Sequence, residues 1–447
     1  MIVLTSLLIA SSFLYYLSLL GNFLPELTSQ PGIVIFAILA ASIYGTGQYI
    51  LDRFVRQISR ETSVTASRFS FSFFNLMFIA TWVVFYLTAL FTAIIVFQTL
   101  TSSQYSVVLY VAAIALSHLL AGTIGGVLGY KFLSWYKVKR NVSTLVFAAS
   151  FLIALVGLYT VAVVNTVFFF SGDDLALTEE PYLPLAGQPG YYDSLKKSDE
   201  LARIFQLSLI PGRIAFFAFW ASAVLLVRNY AKTIGRAKFW GITSLPAITY
   251  IIVSVNSILQ SESFSLIISA ILPPVGVVAG GAFLAVIFLI SAKTLKQKGQ
   301  VTIAHFLIIS AFSFILGYAA ISPTIHVIDR THIVFPPFGV LAHSFLGFSL
   351  YLISTGFYFS AIRISKDTKI RGSLRHIASA ADTSKLLDNI GTAQMELELT
   401  KKVEKIVKEQ EETLKQETGV QQSVTMEEMK GYLEEVLKET KKSSSTS

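Results

Sequence analysis

Apolar and polar positions segregate along this chain rather than alternating. Windows of about 18 to 25 residues that are apolar nearly throughout recur as far as Ile362, the length an α-helix needs to cross about 30 Å of hydrocarbon. They predict about ten spans, near residues 2–21, 32–51, 74–98, 106–130, 143–170, 205–227, 241–259, 265–291, 302–322 and 338–362. The first has no basic residue ahead of it and no small-x-small cleavage site in "LLGNFLPELTSQ", so it reads as a helix and not as a signal peptide. The expected class is all-α: a polytopic integral membrane helix bundle over 1–362 with a helical or coiled-coil C-terminal tail.

Composition supports this solvent assignment. Hydrophobic residues make up 53% of the chain and charged residues 14%, against about a quarter charged in soluble domains, and the mean hydropathy is +0.64. Cysteine is absent, which excludes a disulfide framework, a thiolate metal site and a cysteine nucleophile.

Every second connection is basic: Arg53, Arg56, Arg60 and Arg68; Lys131, Lys137, Lys139 and Arg140; Arg228, Lys232, Arg236 and Lys238; Lys293, Lys296 and Lys298. Intervening connections such as "TLTSSQY" and "QSES" hold no Lys or Arg. Because basic loops are retained on the cytoplasmic side, the alternation predicts a cell-membrane protein with both termini in the cytoplasm. Arg363, Lys366, Lys369, Arg371 and Arg375 then mark the last inner boundary, placed to meet lipid headgroups. The glycosylation sequon Asn141-Val142-Ser143 falls on an inner loop, where it stays unmodified. From residue 363 onward about 15 bases face about 15 acids, so the net charge of +8 belongs to the membrane domain and is no nucleic-acid footprint.

Inside the spans the signals concern packing first. Gly122 and Gly126, and Gly125 and Gly129, stand four apart and allow close helix approach, as do Gly276 and Gly280. Pro273 and Pro274 remove two backbone donors and predict a kink or break in the eighth span, with Pro211-Gly212 in the sixth as the only companion. Arg213 is the one strongly charged residue within a span, placed to snorkel to the headgroups or to meet an anion. His118, His305 and His343 read as neutral hydrogen-bonding groups between helices. His326, Asp329 and His332 in the loop "HVIDRTH" are ligand types suited to a divalent metal, without a recognised spacing.

Beyond the spans, 363–418 reads as a juxtamembrane amphipathic or coiled-coil helix with apolar positions at Leu387, Ile390, Leu397, Val403, Val407 and Leu414. Thr425 and Glu428 form a capping-box signature for a short amphipathic helix within 419–440, and 441–447 is a polar, disordered end. Such a tail needs a partner surface: a second copy meeting it through 385–437, the bilayer, or a cytoplasmic protein.

"PPFG", "YFSAIRISKDTKIR" and "LLDNIGTAQMELELTKKV", followed by the capped terminal helix, resemble the C-terminal third of a group of uncharacterised archaeal multi-span membrane proteins, most clearly over 335–440. The resemblance implies class and location, and brings no catalytic residues.

No phosphate-binding loop, HExxH or GxSxG motif occurs, and His376 lacks the flanking residues of a phospho-acceptor. The expectation is a protein without enzymatic activity or cofactor, either a sensor that passes a membrane or extracellular state to its tail or, alternatively, a small-solute transporter or channel.

Overall fold

Among the described residues of the computed structural model, eight helices are long and apolar enough to cross a membrane, which makes this a multi-pass membrane protein. The structure describes residues 1–18, 30–62, 68–102, 104–170, 182–184, 204, 207–259, 266–322, 326–327, 333–334, 337–368, 370–372, 374 and 382–418. The spanning stretches lie in α2 (Gln30–Thr62), α3 (Arg68–Ser102), α4 (Val107–Val138), α5 (Val142–Phe170), α6 (Ile210–Val227), α8 (Leu266–Gln297), α9 (Val301–Ile321) and the pair α10 (Phe338–His343) and α11 (Leu346–Lys366). Of the about ten predicted spans, α1 (Ile2–Ser18) is a shorter apolar helix, and α7 (Arg236–Leu259), with Pro246 inside it, is not among the eight. α12 (Asp382–Thr418) follows the last span.

Burial is unequal among these helices. Of the last span 94% is enclosed, against 28% for those in α2 and α3. α11 is therefore the post around which the others assemble. Its Phe357 ring lies 5.3 Å from Phe132 of α4, 5.9 Å from Phe147 of α5, 5.4 Å from Phe288 of α8 and 6.3 Å from Phe314 of α9. Three of these pairs are edge-to-face, and such contacts add to the area they bury. Residues such as Ile38, Leu90, Val163 and Leu245 remain exposed on the outer helices, as a lipid-facing surface requires.

Glycines set the closest approaches. Added Cβ atoms on Gly122, Gly126 and Gly129 would meet Tyr159, Leu155 and Leu152 of α5, while one on Gly125 would face Leu350 of α11, so the two sides of the α4 glycine cluster serve different neighbours. On α8, a Cβ on Gly281 would stand 2.9 Å from the Phe314 carbonyl of α9. α5 meets α6 at Gly157, where a Cβ would come within 2.9 Å of the Gly212 nitrogen.

That contact reassigns Pro211-Gly212. The sequence pattern placed this pair inside a span, yet α6 opens at Ile210, with the proline in its first turn. There a missing N–H costs nothing, because first-turn amides lack intrahelical acceptors in any case. Pro273 and Pro274 also fail to divide their span: helix is continuous from Leu266 to Gln297. In α7 the carbonyl of Thr243, in the turn that Pro246 loosens, accepts the Trp220 indole N–H at 2.6 Å.

Two small sheets, absent from the all-α expectation, join connections between helices. β1 (Gln104–Ser106) pairs antiparallel with β2 (Tyr182–Pro184), Tyr105 opposite Leu183, and β3 (His326–Val327) with β4 (Ile333–Val334). Replacing Gly157 by alanine is expected to force α5 and α6 apart, at about 1–3 kcal/mol, and to lower the thermal midpoint in detergent. Gly212→Ala, with nothing within 4 Å of its new Cβ, is expected to be neutral or slightly stabilising in the same measurement.

Candidate functional site

A break, one of the two outcomes considered at Pro273–Pro274, is found instead in the last span. α10 ends at His343, α11 begins at Leu346, and the two residues between them form a tightened turn with no proline nearby. Phe345 sits at φ −94°, ψ 1°, in the sparsely occupied bridge region, and its N–H reaches back three residues to the Ala342 carbonyl at 3.0 Å. Two local causes are visible. The Ser344 hydroxyl donates to the Val340 carbonyl at 2.6 Å, sharing an acceptor with its own backbone N–H and bending the helix. The Phe345 ring, fully buried, is drawn sideways between Tyr44 and Phe85 into a slot that exists because residue 47 is glycine: a Cβ there would stand 2.7 Å from the ring.

Within hydrocarbon a freed amide needs a partner. Ser117 of α4 supplies it, its hydroxyl oxygen accepting from the Gly347 N–H at 3.2 Å. Gly347 and Gly339 let the chain approach α4 and α1 on either side of the break, since added Cβ atoms would collide with Leu120 and with Tyr110 and Tyr15. Next to Ser117, His118 faces His343 with ring centroids 5.2 Å apart, both side chains buried. Because a carbonyl only accepts, the 2.8 Å contact between His118 Nδ1 and the Ile114 oxygen places a proton on Nδ1 and leaves Nε2 as the acceptor of the neutral ring. The Tyr44 hydroxyl, hydrogen-bonded to Thr92 at 2.9 Å, closes the site from α2 and α3. The sequence singled out His118 and His343 separately; the fold brings them together.

At the opposite end of α11 the chain makes a second arrangement. Asp367 leaves helical geometry at ψ 108° and its carboxylate accepts from the Ile370 N–H at 3.1 Å, opening a short turn that buries Ile370 and Leu374. The first third of α12 is then enclosed: Leu386, Leu387, Ile390 and Ala393 are 1% exposed or less. Gln394 accepts the Trp135 indole N–H from α4 at 3.0 Å, and a Cβ on Gly391 would overlap Ile364 of α11. The compact unit thus extends to Gln394, beyond the predicted boundary at 362. From Met395 onward a second unit begins, where Leu399 and Ile406 are exposed.

The remaining candidates are dispersed. Arg213 lies in the first turn of α6, half-buried and within electrostatic reach of Tyr250, not deep in a span. Arg363 and Lys366 are exposed on one side of α11 and Arg371 is half-buried, while Lys369 and Arg375 lie outside the described residues. For the loop metal candidates, Asp329 and His332 also fall outside them, and His326 is described only as backbone in β3. Asn141, in the sequon, caps α5 through Oδ1, which accepts from the Ser143 N–H at 2.9 Å.

Ser117→Ala is expected to leave the Gly347 amide without its side-chain acceptor, costing about 1–3 kcal/mol and speeding amide exchange at residues 345–348. Gln394→Leu is expected to orphan the Trp135 indole at a similar cost and to raise exchange across 383–394 while that of α4 and α9 stays unchanged. No family model, curated protein or solved structure matches this chain.

Proposed function

We propose that this chain is a membrane protein of the sensor or signal-transducing, partner-recruiting kind, in which the state of the bundle is passed to a cytoplasmic helical tail. The observation that carries the proposal is the seating of residues 383–394, with Gln394 on Trp135 and Gly391 against Ile364. A tail that merely trailed from the last span would have no reason to bury its base all round. A movement of α11 alters the seat of α12, and an element with two arrangements is what a switch requires.

Counting α1 and α7 with the eight long spans gives ten crossings. The parity puts both termini on one side, and the Lys/Arg alternation puts that side in the cytoplasm of the cell. Exposed Arg363 and Lys366 then stand at the headgroups. The tail beyond Gln394 is the part offered to a protein partner or to a second copy. On this reading the protein has no enzymatic role, and the resemblance over 335–440 to archaeal multi-span membrane proteins is in keeping with such a tail.

A second reading, a small-solute transporter or channel, draws support from the interrupted last span, because broken helices commonly line substrate paths. Reconstitution of the full chain and of a form ending at Gln394 separates the two. The signalling proposal expects neither form to move solutes across liposomes and expects loss of the tail to abolish the cellular response. Equal solute flux from both forms would replace it with transport.

A further inference from the structure

We infer that the inner end of α11 holds an anionic phospholipid of the cytoplasmic leaflet, its headgroup bridging Arg363 and Lys366, and that this contact steadies the seat of α12. The inference rests on the signalling proposal for the side of the membrane and for its output.

α11 has almost no outer surface. From Leu346 to Lys366 its side chains are buried or, at Leu350, half-buried, with two exceptions: Arg363 and Lys366. Those two are exposed and stand three positions apart, side by side on one face. Among the described residues, neither takes part in a hydrogen bond or an ion pair. The acid that follows them, Asp367, accepts the Ile370 N–H at 3.1 Å.

The chemistry of the pair sets the partner. The Arg363 guanidinium is a planar fork that matches the non-bridging oxygens of a phosphodiester, and Lys366 adds a point charge beside it. A zwitterionic headgroup carries its own ammonium next to its phosphate and would set that cation against Lys366. A lipid of net negative charge, such as phosphatidylglycerol, brings no such repulsion. Soluble phosphate shares the headgroup chemistry but lacks the acyl chains that keep a lipid concentrated at the membrane surface.

Other exposed cations, among them Lys137, Arg140, Lys293 and Lys296, stand at the ends of α4 and α8 and draw anionic lipid to the same side. What distinguishes the α11 pair is what lies behind it. Ile364 and Ser365, between the two cations in sequence, are buried. Ile364 fills the space left by Gly391 of α12, where a Cβ would overlap it, and the Ser365 hydroxyl donates to the Ile362 carbonyl at 2.7 Å. One turn of helix therefore carries the lipid contact on its outer side and the tail contact on its inner side. A headgroup that ties Arg363 to Lys366 binds the arrangement in which that turn is packed, the one with α12 seated, and adds to its population. Anionic lipid is expected to keep the tail seated, and its loss to release it.

The test uses the full chain in nanodiscs of phosphatidylcholine alone or of an equal mixture with phosphatidylglycerol. Released from the mixed discs into a native mass spectrometer, the protein is expected to retain phosphatidylglycerol in preference to phosphatidylcholine. Arg363→Gln/Lys366→Gln is expected to reduce that preference about tenfold. Arg228→Gln/Lys232→Gln, which removes the same charge from two exposed positions at and after the end of α6, is expected to keep it. The absence of cysteine opens a second readout. Thr392→Cys places a thiol in the buried base of α12, and Thr400→Cys, in a separate preparation, an exposed reference that corrects for surface pH. The ratio of their maleimide labelling rates, base over reference, is expected to rise several-fold when phosphatidylglycerol is withdrawn, and to ignore the lipid once Arg363 and Lys366 are both glutamine. Equal loss of retention in the two double variants overturns the inference, because the attraction is then diffuse. A labelling ratio that ignores phosphatidylglycerol with both cations present overturns it as well. So does protection restored in phosphatidylcholine discs by inorganic phosphate alone, which would assign the cations to a soluble anion. Should the α11 double variant fail to fold, Lys366→Gln alone, at an exposed position, takes its place with the same expected directions. Fast labelling of Thr392→Cys in every lipid would remove the signalling proposal and with it the steadying of the seat, while preferential retention of phosphatidylglycerol would still support the lipid contact.

Discussion

A backbone amide in hydrocarbon has no water to fall back on, and this requirement governs how the bundle is built around α11. Enclosed on nearly every side, that helix bears hydroxyls that would be costly against lipid. Ser349, Thr355 and Ser365 return theirs to carbonyls of their own helix, at 2.8, 2.6 and 2.7 Å. The same enclosure permits the gap at Ser344–Phe345, because α4 stands close enough for Ser117 to accept the stray Gly347 amide. The gap, the close glycine contacts and the aromatic cluster on Phe357 are consequences of one helix being solvated by protein.

Both ends of α11 are therefore held by α4. Near its start the attachment is polar and spans a turn of low regularity. Near its other end it is aromatic and continues through Trp135 into the base of α12. A regular helix between two such fixtures transmits displacement along its axis better than it absorbs it, since packed interiors have few alternative arrangements.

Much of this was legible in the residues. The apolar windows located the helices, and the four-residue spacing of glycines in "AGTIGGVLGY" identified α4 as a packing centre. The break was not legible. Sequence reasoning looks for proline and glycine, and it marked Pro273–Pro274 for a kink or break, where the helix is unbroken, while the gap lies at a serine and a phenylalanine whose effect depends on Gly47, a distant position. Pro211-Gly212 misled for a related reason: one proline reads alike in the middle of a helix and at its first turn. The seating of α12 was hidden because Leu387 and Ile390 have the same spacing whether they meet their own bundle or another protein. Their destination is decided by Trp135 and Ile364, which no periodicity connects to them.

The pairing of β1 with β2 adds a mechanical link. β2 belongs to the long connection between α5 and α6, whereas β1 runs without interruption into Val107, the first residue of α4. The position of that connection therefore bears on the first turn of the helix on which Ser117 and His118 sit. A short ribbon of three residue pairs thus tethers the connection after α5 to the start of the helix that holds the most irregular turn in place.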